Sequence, residues 1–328
     1  MLKVFCDDGS TAVKLAWYDT NNALQTWVSE NSFRAGWQID SFGNGKVFNY
    51  AINSTQKFTF DKVSTDAITT TNIEYQYGNE NLLAVHHALL QTALNPQDVE
   101  IWVTLPVSEY YTADCQKNER NIARKKENLL RPIILNKGAV FTIRAVNVLP
   151  ESLPAVLHAL LEDNVGELET SLVVDLGGTT LDCGAITGRL DSVSKVLGEP
   201  GIGVSEVTHA LRNALKMAGS ESNALIADRL IRGRNDPALF QQLVNDISKI
   251  DRVKQTIDDA VKNLSDRVLD KLSQFKGVHR IYLTGGGASL IYPFVRDAYP
   301  SFGNKVKILD EPQTALVRAI ADMNHEAA

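Results

Sequence analysis

The sequence predicts an α/β fold of two related domains, each a mixed sheet flanked by helices, closing on a cleft between them. Three observations carry this expectation. The chain has 328 residues, too many for one ordinary core and few for three. Strand-like and helix-like segments alternate along it. Residues 7–14, Asp-Asp-Gly-Ser-Thr-Ala-Val-Lys, align without gaps on residues 175–182, Asp-Leu-Gly-Gly-Thr-Thr-Leu-Asp. A repeat at about half the chain length suggests a duplicated domain rather than a solenoid.

The elements follow in order. Residues 3–6 are an apolar run, 12–18 alternate, and 23–28 follow the turn-like Thr20-Asn21-Asn22; all three read as strands. Residues 47–50 after Gly43-Asn44-Gly45, and 57–60 after Asn53-Ser54, read as further strands. Residues 79–94 are helical in pattern and Pro96 closes them. A buried-type strand over 99–105, a basic amphipathic helix over 119–130 and a strand over 139–148 come next. The second half begins with a helix over 154–161 and repeats the strand–turn–strand plan over 171–175, 180–186 and 192–197. Helical pattern dominates 204–275. Residues 280–283 form a strand, the triple glycine 285–287 a turn, 289–297 a helix and 312–323 a last helix. No stretch reads as a flexible linker, so the halves are expected to pack with a hinge between them.

Composition narrows the function. Hydrophobic residues make up 44% and charged residues 22% of the chain, the balance of a globular protein. Lys plus Arg is 33 against 39 for Asp plus Glu, a net charge of -6. This argues against strong direct binding to nucleic acid and leaves room for a small basic patch or an adaptor. The three cysteines, Cys6, Cys115 and Cys183, are far apart and lack zinc spacing; Cys6 and Cys183 read as small buried hydrophobes. The opening MLKVFCDDGS turns acidic too soon for a signal peptide, and no apolar run approaches the roughly 20 residues of a membrane span. A cytoplasmic setting is the expectation.

The duplicated turns carry the chemistry. A Gly-rich turn exposes consecutive backbone N–H groups that cradle an anion, most often phosphate. Ser10, Thr11, Thr179 and Thr180 add hydroxyl donors. An aspartate just ahead of each turn would repel phosphate directly but suits hydrated Mg²⁺. One such turn is equally an ordinary hairpin; two copies at domain spacing point to a polyphosphate clamped between halves. Gly285-Gly286-Gly287 lies between a strand and a helix, where backbone can press on a ring or phosphate. Alone it could be tight helix–strand packing. Glu151 precedes Ser152 and Pro154, an N-cap and first-turn pair, so the helix dipole should favour its ionised form. It could activate a water at a γ-phosphate, although spacing alone favours a Glu that only complements the dipole. His86 and His87 read as packing or surface residues; the basic run 124–126 could be an interface, but a solvated helix face is the reading favoured.

These motifs in this order resemble the superfamily of actin, heat-shock chaperone ATPases and sugar kinases. Within it the chain resembles the ParM (StbA) family of actin-like plasmid-segregation ATPases. The resemblance rests on 5–14, KVFNY at 46–50, TTTNI at 69–73, AVHHALL at 84–90, TLPVSEYY at 104–111, NIARKK at 121–126, PESLP at 150–154, DLGGTTLD at 175–182, 201–208 and 285–288. It covers nearly the whole chain and thins after Asn304; residues 317–328 have no residue-by-residue match.

The resemblance implies an actin-like fold. Domain I would comprise 1–167 plus 312–328, with an inserted small subdomain at about 33–70; domain II would comprise 168–311. Asp7 and Asp175 would hold Mg²⁺. Gly9, Ser10, Thr11, Gly177, Gly178, Thr179 and Thr180 would hold phosphates, and Lys14 would reach the β/γ-phosphates. Gly285, Gly286, Gly287 and Ala288 would border the adenosine, and 201–207 would pass near base and ribose. On this alignment Glu151 takes the water-activating place and, with Asp175, the catalytic role. The implied function is ATP-driven (or GTP-driven) polymerisation into filaments. These would segregate plasmid DNA through a ParR-like adaptor on a centromere-like site, without direct DNA or membrane binding. The alternatives are a small-molecule kinase or phosphatase of the same superfamily, which would need an acceptor site with no motif here, and a nucleotide-binding scaffold without turnover.

Overall fold

A computed structural model describes residues 1–39, 46–62, 66–114 and 116–325. The expected turn at Gly43-Asn44-Gly45 and Cys115 lie outside them. The first half contains β1 (Leu2–Asp8), β2 (Ala12–Tyr18), β3 (Leu24–Glu30), β4 (Phe33–Ala35), β5 (Asn49–Ala51), β6 (Lys57–Phe60), β7 (Asp98–Leu105), β8 (Ile134–Leu135) and β9 (Thr142–Pro150). Its helices are α1 (Asn79–Gln91), α2 (Val107–Tyr110), α3 (Glu119–Leu129) and α4 (Leu157–Glu162). The second half contains β10 (Thr170–Leu176), β11 (Thr180–Thr187), β12 (Ser192–Pro200), β13 (Arg280–Thr284) and β14 (Val306–Ile308). Its helices are α5 (Ser205–Met217), α6 (Ala224–Arg232), α7 (Pro237–Leu243), α8 (Ile250–Leu272), α9 (Ala288–Ala298) and α10 (Ala315–Met323).

The repeat read from fifteen-odd residues extends to whole sheets. The first sheet has the order β3-β2-β1-β7-β9 and the second β12-β11-β10-β13-β14. In each, the leading strand runs antiparallel to the next strand and parallel to the one beyond the helical insert. A third sheet, β4-β6-β5-β8, joins three strands of the inserted segment to β8, which pairs antiparallel with β5. Expected and observed strands agree closely at 12–18 and 57–60.

Strand alternation divides the core into three. Val4 and Cys6 face one way, into a core closed by Leu82, Leu83 and Leu89 of α1. Leu172 and Val174 do the same in the second half, under Ile257, Leu264 and Val268 of α8. Phe5 and Val173 face the opposite way, into a shared core with Leu160, Val317 and Ile320. Each large aliphatic side chain so buried is worth roughly 1.5–3 kcal/mol. The α10 helix therefore packs back on β1 and β2. The ends of the strands that carry the motifs then face each other across the shared core.

Several expectations shift at element ends. Helix α1 stops at Gln91, not at 94, because the Thr92 hydroxyl donates to the Leu89 carbonyl at 2.7 Å and turns the chain. The strand expected over 139–148 begins at Thr142 and continues to Pro150. The helix expected over 154–161 opens with a 3-10 turn at Leu153–Val156. Lys125 corrects the solvated reading of the basic run, since it is fully buried. His86 and His87 are packing residues: His87 stacks on Phe60 and shares a 2.7 Å hydrogen bond with the Tyr50 hydroxyl. Burial pushes their imidazoles down to about 4 and about 3 respectively. Cys6 and Cys183 are buried free thiols. Among the described residues no helix is long and apolar enough to cross a membrane.

Candidate functional site

The two repeated turns meet face to face. The turn after β1 carries Gly9, Ser10 and Thr11; the turn after β10 carries Gly177, Gly178 and Thr179. The Ser10 and Thr179 hydroxyls share a hydrogen bond of 2.5 Å across the cleft. A Cβ at Gly178 would stand 2.4 Å from Thr11 Cγ2, so only glycine permits this approach. The second turn is backed by 203–205: the Val204 N–H donates to the Gly177 carbonyl and the Ser205 N–H to the Gly178 carbonyl. The segment 201–207 thus supports the second turn from behind.

Each turn carries one aspartate into the cleft. Asp7 stands opposite Lys14 in the β1–β2 register, with Lys14 Nζ 3.0 Å from Asp7 Oδ2. Burial disfavours the Lys14 ammonium, but the carboxylates of Asp7, then Asp175 and Glu151, together more than offset it and raise its pKa. Asp175 stands opposite Asp182 in the β10–β11 register. Burial, then Asp182, then Asp7 push Asp175 up to about 7. Burial also takes Asp182 up to about 6, although its Oδ1 accepts the Val107 N–H at 3.1 Å.

Glu151 follows β9 and joins this cluster. Its N–H donates to the Leu105 carbonyl at 2.8 Å, and the Thr104 hydroxyl donates to its Oε1 at 3.4 Å. Burial, followed by Asp182, Asp7, Asp175 and Asp8, raises its pKa well above the ordinary carboxylate range. The expectation of a dipole-favoured ionised Glu151 is therefore corrected: neighbouring charge and desolvation win over a short 3-10 helix entry. Ser152 is corrected too. It occupies the N-cap position at φ 72° without a side-chain capping bond. Its buried hydroxyl lies near Asp175 without a hydrogen bond of ordinary geometry.

Asp7, Gly9, Ser10, Thr11, Lys14, Glu151, Asp175, Gly177, Gly178, Thr179, Thr180, Gly285 and Gly286 all line one cleft. Gly285, at φ 85°, closes the wall beside Asp175; a Cβ there would fall 2.2 Å from Asp175 Oδ1. Its N–H donates to the Pro312 carbonyl at 3.0 Å, which ties this wall to the loop before α10. Gly287 and Ala288 stand behind the wall: Gly287 donates to the Leu176 carbonyl, and Ala288 is fully buried. Among the described residues no three His, Cys, Asp or Glu converge as a metal cage. Two mutually repelling carboxylates without a cage suit Mg²⁺, which keeps its waters and takes phosphate oxygens.

One charged group beside the cleft was not anticipated. Asp8 points away from Asp7 and is fully buried with Lys125, whose Nζ lies 2.5 Å from its Oδ2. Asn81 donates to the same Oδ2 at 2.7 Å, and Lys125 also donates to Gln76, a cleft residue. The signal was present: Lys125 shares the α3 face with buried Ile122 and Leu129, three before and four after it.

The model of "Plasmid segregation protein ParM, N-terminal" matches residues 2–162, and that of "Plasmid segregation protein ParM, C-terminal" matches residues 165–323. The chain belongs to the ParM family. Solved structures share its actin-like fold. An archaeal actin homolog is similar at a TM-score of 0.71 and 16% identity, over 98% of this chain and 99% of that one. A 15-stranded ParM filament from Clostridium botulinum is similar at 0.73 and 15%, over 98% of both chains. AlfA, in a filament from a B. subtilis plasmid, is similar at 0.59 and 13%, over 100% of both. No curated protein matches this ParM-family chain.

Proposed function

We propose that this chain is an actin-like ATPase that polymerises with ATP, or GTP, and Mg²⁺, and segregates plasmid DNA through a ParR-like adaptor. The observation that carries the reading is the meeting of the two matching turns, Ser10 to Thr179, with Asp7, Asp175 and Glu151 around them. The family and the relatives solved as filaments support self-assembly. The archaeal actin homolog, also solved in complex with ADP, supports a nucleotide in the same fold. Domain I would be 1–167 plus 312–328 and domain II 168–311, the boundary crossing the shared core. With 39 acidic against 33 basic residues, DNA contact falls to the adaptor.

The backbone N–H groups and hydroxyls of the two turns bind the phosphates, and Lys14 adds a positive charge to the first. The cavity they enclose is about 60 Å³, far below the ~300 Å³ of a small-molecule site, so a nucleotide enters as the turns part. Asp7 and Asp175 would hold Mg²⁺, which neutralises phosphate charge and the repulsion among these carboxylates. Glu151 orients a water and takes its proton at a carboxylate oxygen as the water attacks the γ-phosphorus; the bond from that phosphorus to the β–γ bridging oxygen breaks, leaving nucleoside diphosphate and inorganic phosphate. Loss of the γ-phosphate removes the bridge between turns and loosens the filament. Light scattering with ATP and Mg²⁺ should rise only above a critical protein concentration. Scattering that stays flat, with turnover stimulated by a small acceptor, would instead select the kinase reading.

A further inference from the structure

Asn31 follows β3 and belongs to neither repeated turn, yet it touches the first one at three points. Its Nδ2 donates to the Gly9 carbonyl at 2.9 Å and to the Ser10 carbonyl at 3.0 Å. Its own N–H donates to the Thr11 carbonyl at 3.1 Å. The same Nδ2 lies 2.9 Å from the Tyr75 hydroxyl, in the 3-10 turn Ile73–Tyr77. Two amide hydrogens thus serve three acceptors, while Asn31 Oδ1 is buried without a partner. Flipping the amide would give no relief, because Oδ1 would then face two carbonyls. An unsatisfied buried acceptor costs stability, so the side chain is held in this orientation for its donors.

The consequence lies in where the turn's other groups point. A peptide unit has its C=O and N–H on opposite sides. Anchoring the carbonyls of Gly9 and Ser10 behind the turn fixes the following N–H groups, those of Ser10 and Thr11, toward the cleft. The second turn has no such side-chain anchor among the described residues; its carbonyls are held by the backbone N–H groups of Val204 and Ser205. We infer that Asn31 is a positioning residue for phosphate recognition, presenting the first turn's amides by holding its carbonyls. The inference rests on the nucleotide reading above and adds a residue that none of the motifs contains.

The test is calorimetric titration of the full chain with ADP and with adenosine, Mg²⁺ present. Asn31→Ala should lose about tenfold in ADP affinity, equivalent to roughly 1.4 kcal/mol, with adenosine affinity unchanged. Asn31→Asp, similar in shape but without the donors, should lose more. Tyr75→Phe, which keeps the donors on the turn, should stay within about twofold of wild type. ADP affinity within twofold of wild type in both Asn31 variants would overturn the inference. So would an equal loss for adenosine, or an equal loss in Tyr75→Phe, since either would mean general packing. Absence of ADP binding by the wild type would instead sink the nucleotide reading itself.

Discussion

The first and second turns have the same strands, the same register and the same leading aspartate, but differ in what stands opposite that aspartate. Opposite Asp7 is Lys14, at 3.0 Å. Opposite Asp175 is Asp182, itself buried. A duplicated backbone has therefore been given opposite electrostatics. The first unit holds its carboxylate in an ion pair, while the second drives its carboxylate up to about 7 through burial and like charge. Such a division is economical for a site that holds a polyphosphate with a divalent cation. On the proposed function, one side would supply positive charge to the phosphates, and the other carboxylates whose repulsion a cation would relieve.

The largest expected effect tests what that negative side serves. Glu151→Ala should lower phosphate release by about 10²–10⁴-fold, while filaments still form with ATP and persist. Phosphate release at the wild-type rate would remove Glu151 from catalysis and leave the comparison without a chemical purpose.

Asp175→Asn comes next and separates stability from turnover. The Asp175 pKa is about 7 in the fold against roughly 3.9 in the unfolded chain. Its cost to folding is absent below the unfolded value, grows as pH rises, and is complete above about 7. Asn removes that cost. Without nucleotide or Mg²⁺, the variant should be more stable at pH 8, by on the order of 4 kcal/mol, and gain less at pH 5. Magnesium-dependent turnover should be lost at the same time. A variant that is less stable at pH 8, or that keeps the wild-type Mg²⁺ titration, would contradict the assignment.

Much of this contrast was legible in the residues. The repeat at 7–14 and 175–182 exposes the Lys14/Asp182 exchange directly, because strand alternation sends residues 7 and 14, or 175 and 182, to matching places across a two-strand turn. Glu151 was legible as a position but not in its charge state. Helix entry predicts an ionised group, and only the fold brings Asp182, Asp7 and Asp175 around it. Lys125 misled because a basic run is usually solvated; its partner Asp8 lies 117 residues away in sequence. Asn31 left no trace for a similar reason. A single amide after a strand carries no pattern, and its meaning comes from three carbonyls that the turn happens to place beside it.

The smallest expected effect bears most directly on the difference between the turns. Asp182 contributes to the raised pKa of both Asp175 and Glu151, second only to burial in each. Asp182→Asn removes that charge while its amide oxygen can still accept the Val107 N–H that Asp182 Oδ1 accepts now. Helix α2 should thus keep its place. The pKa values of Asp175 and Glu151 should both fall, and the acid limb of the pH–turnover profile should move to lower pH. The stability gain on acidification should shrink in parallel, because less of the folded-state penalty remains to be relieved. Turnover at the alkaline end of the profile, where Glu151 is most ionised in either protein, should change least. An acid limb that stays in place would mean that burial alone sets these carboxylates, and that the residue opposite the second aspartate is a matter of packing against α2.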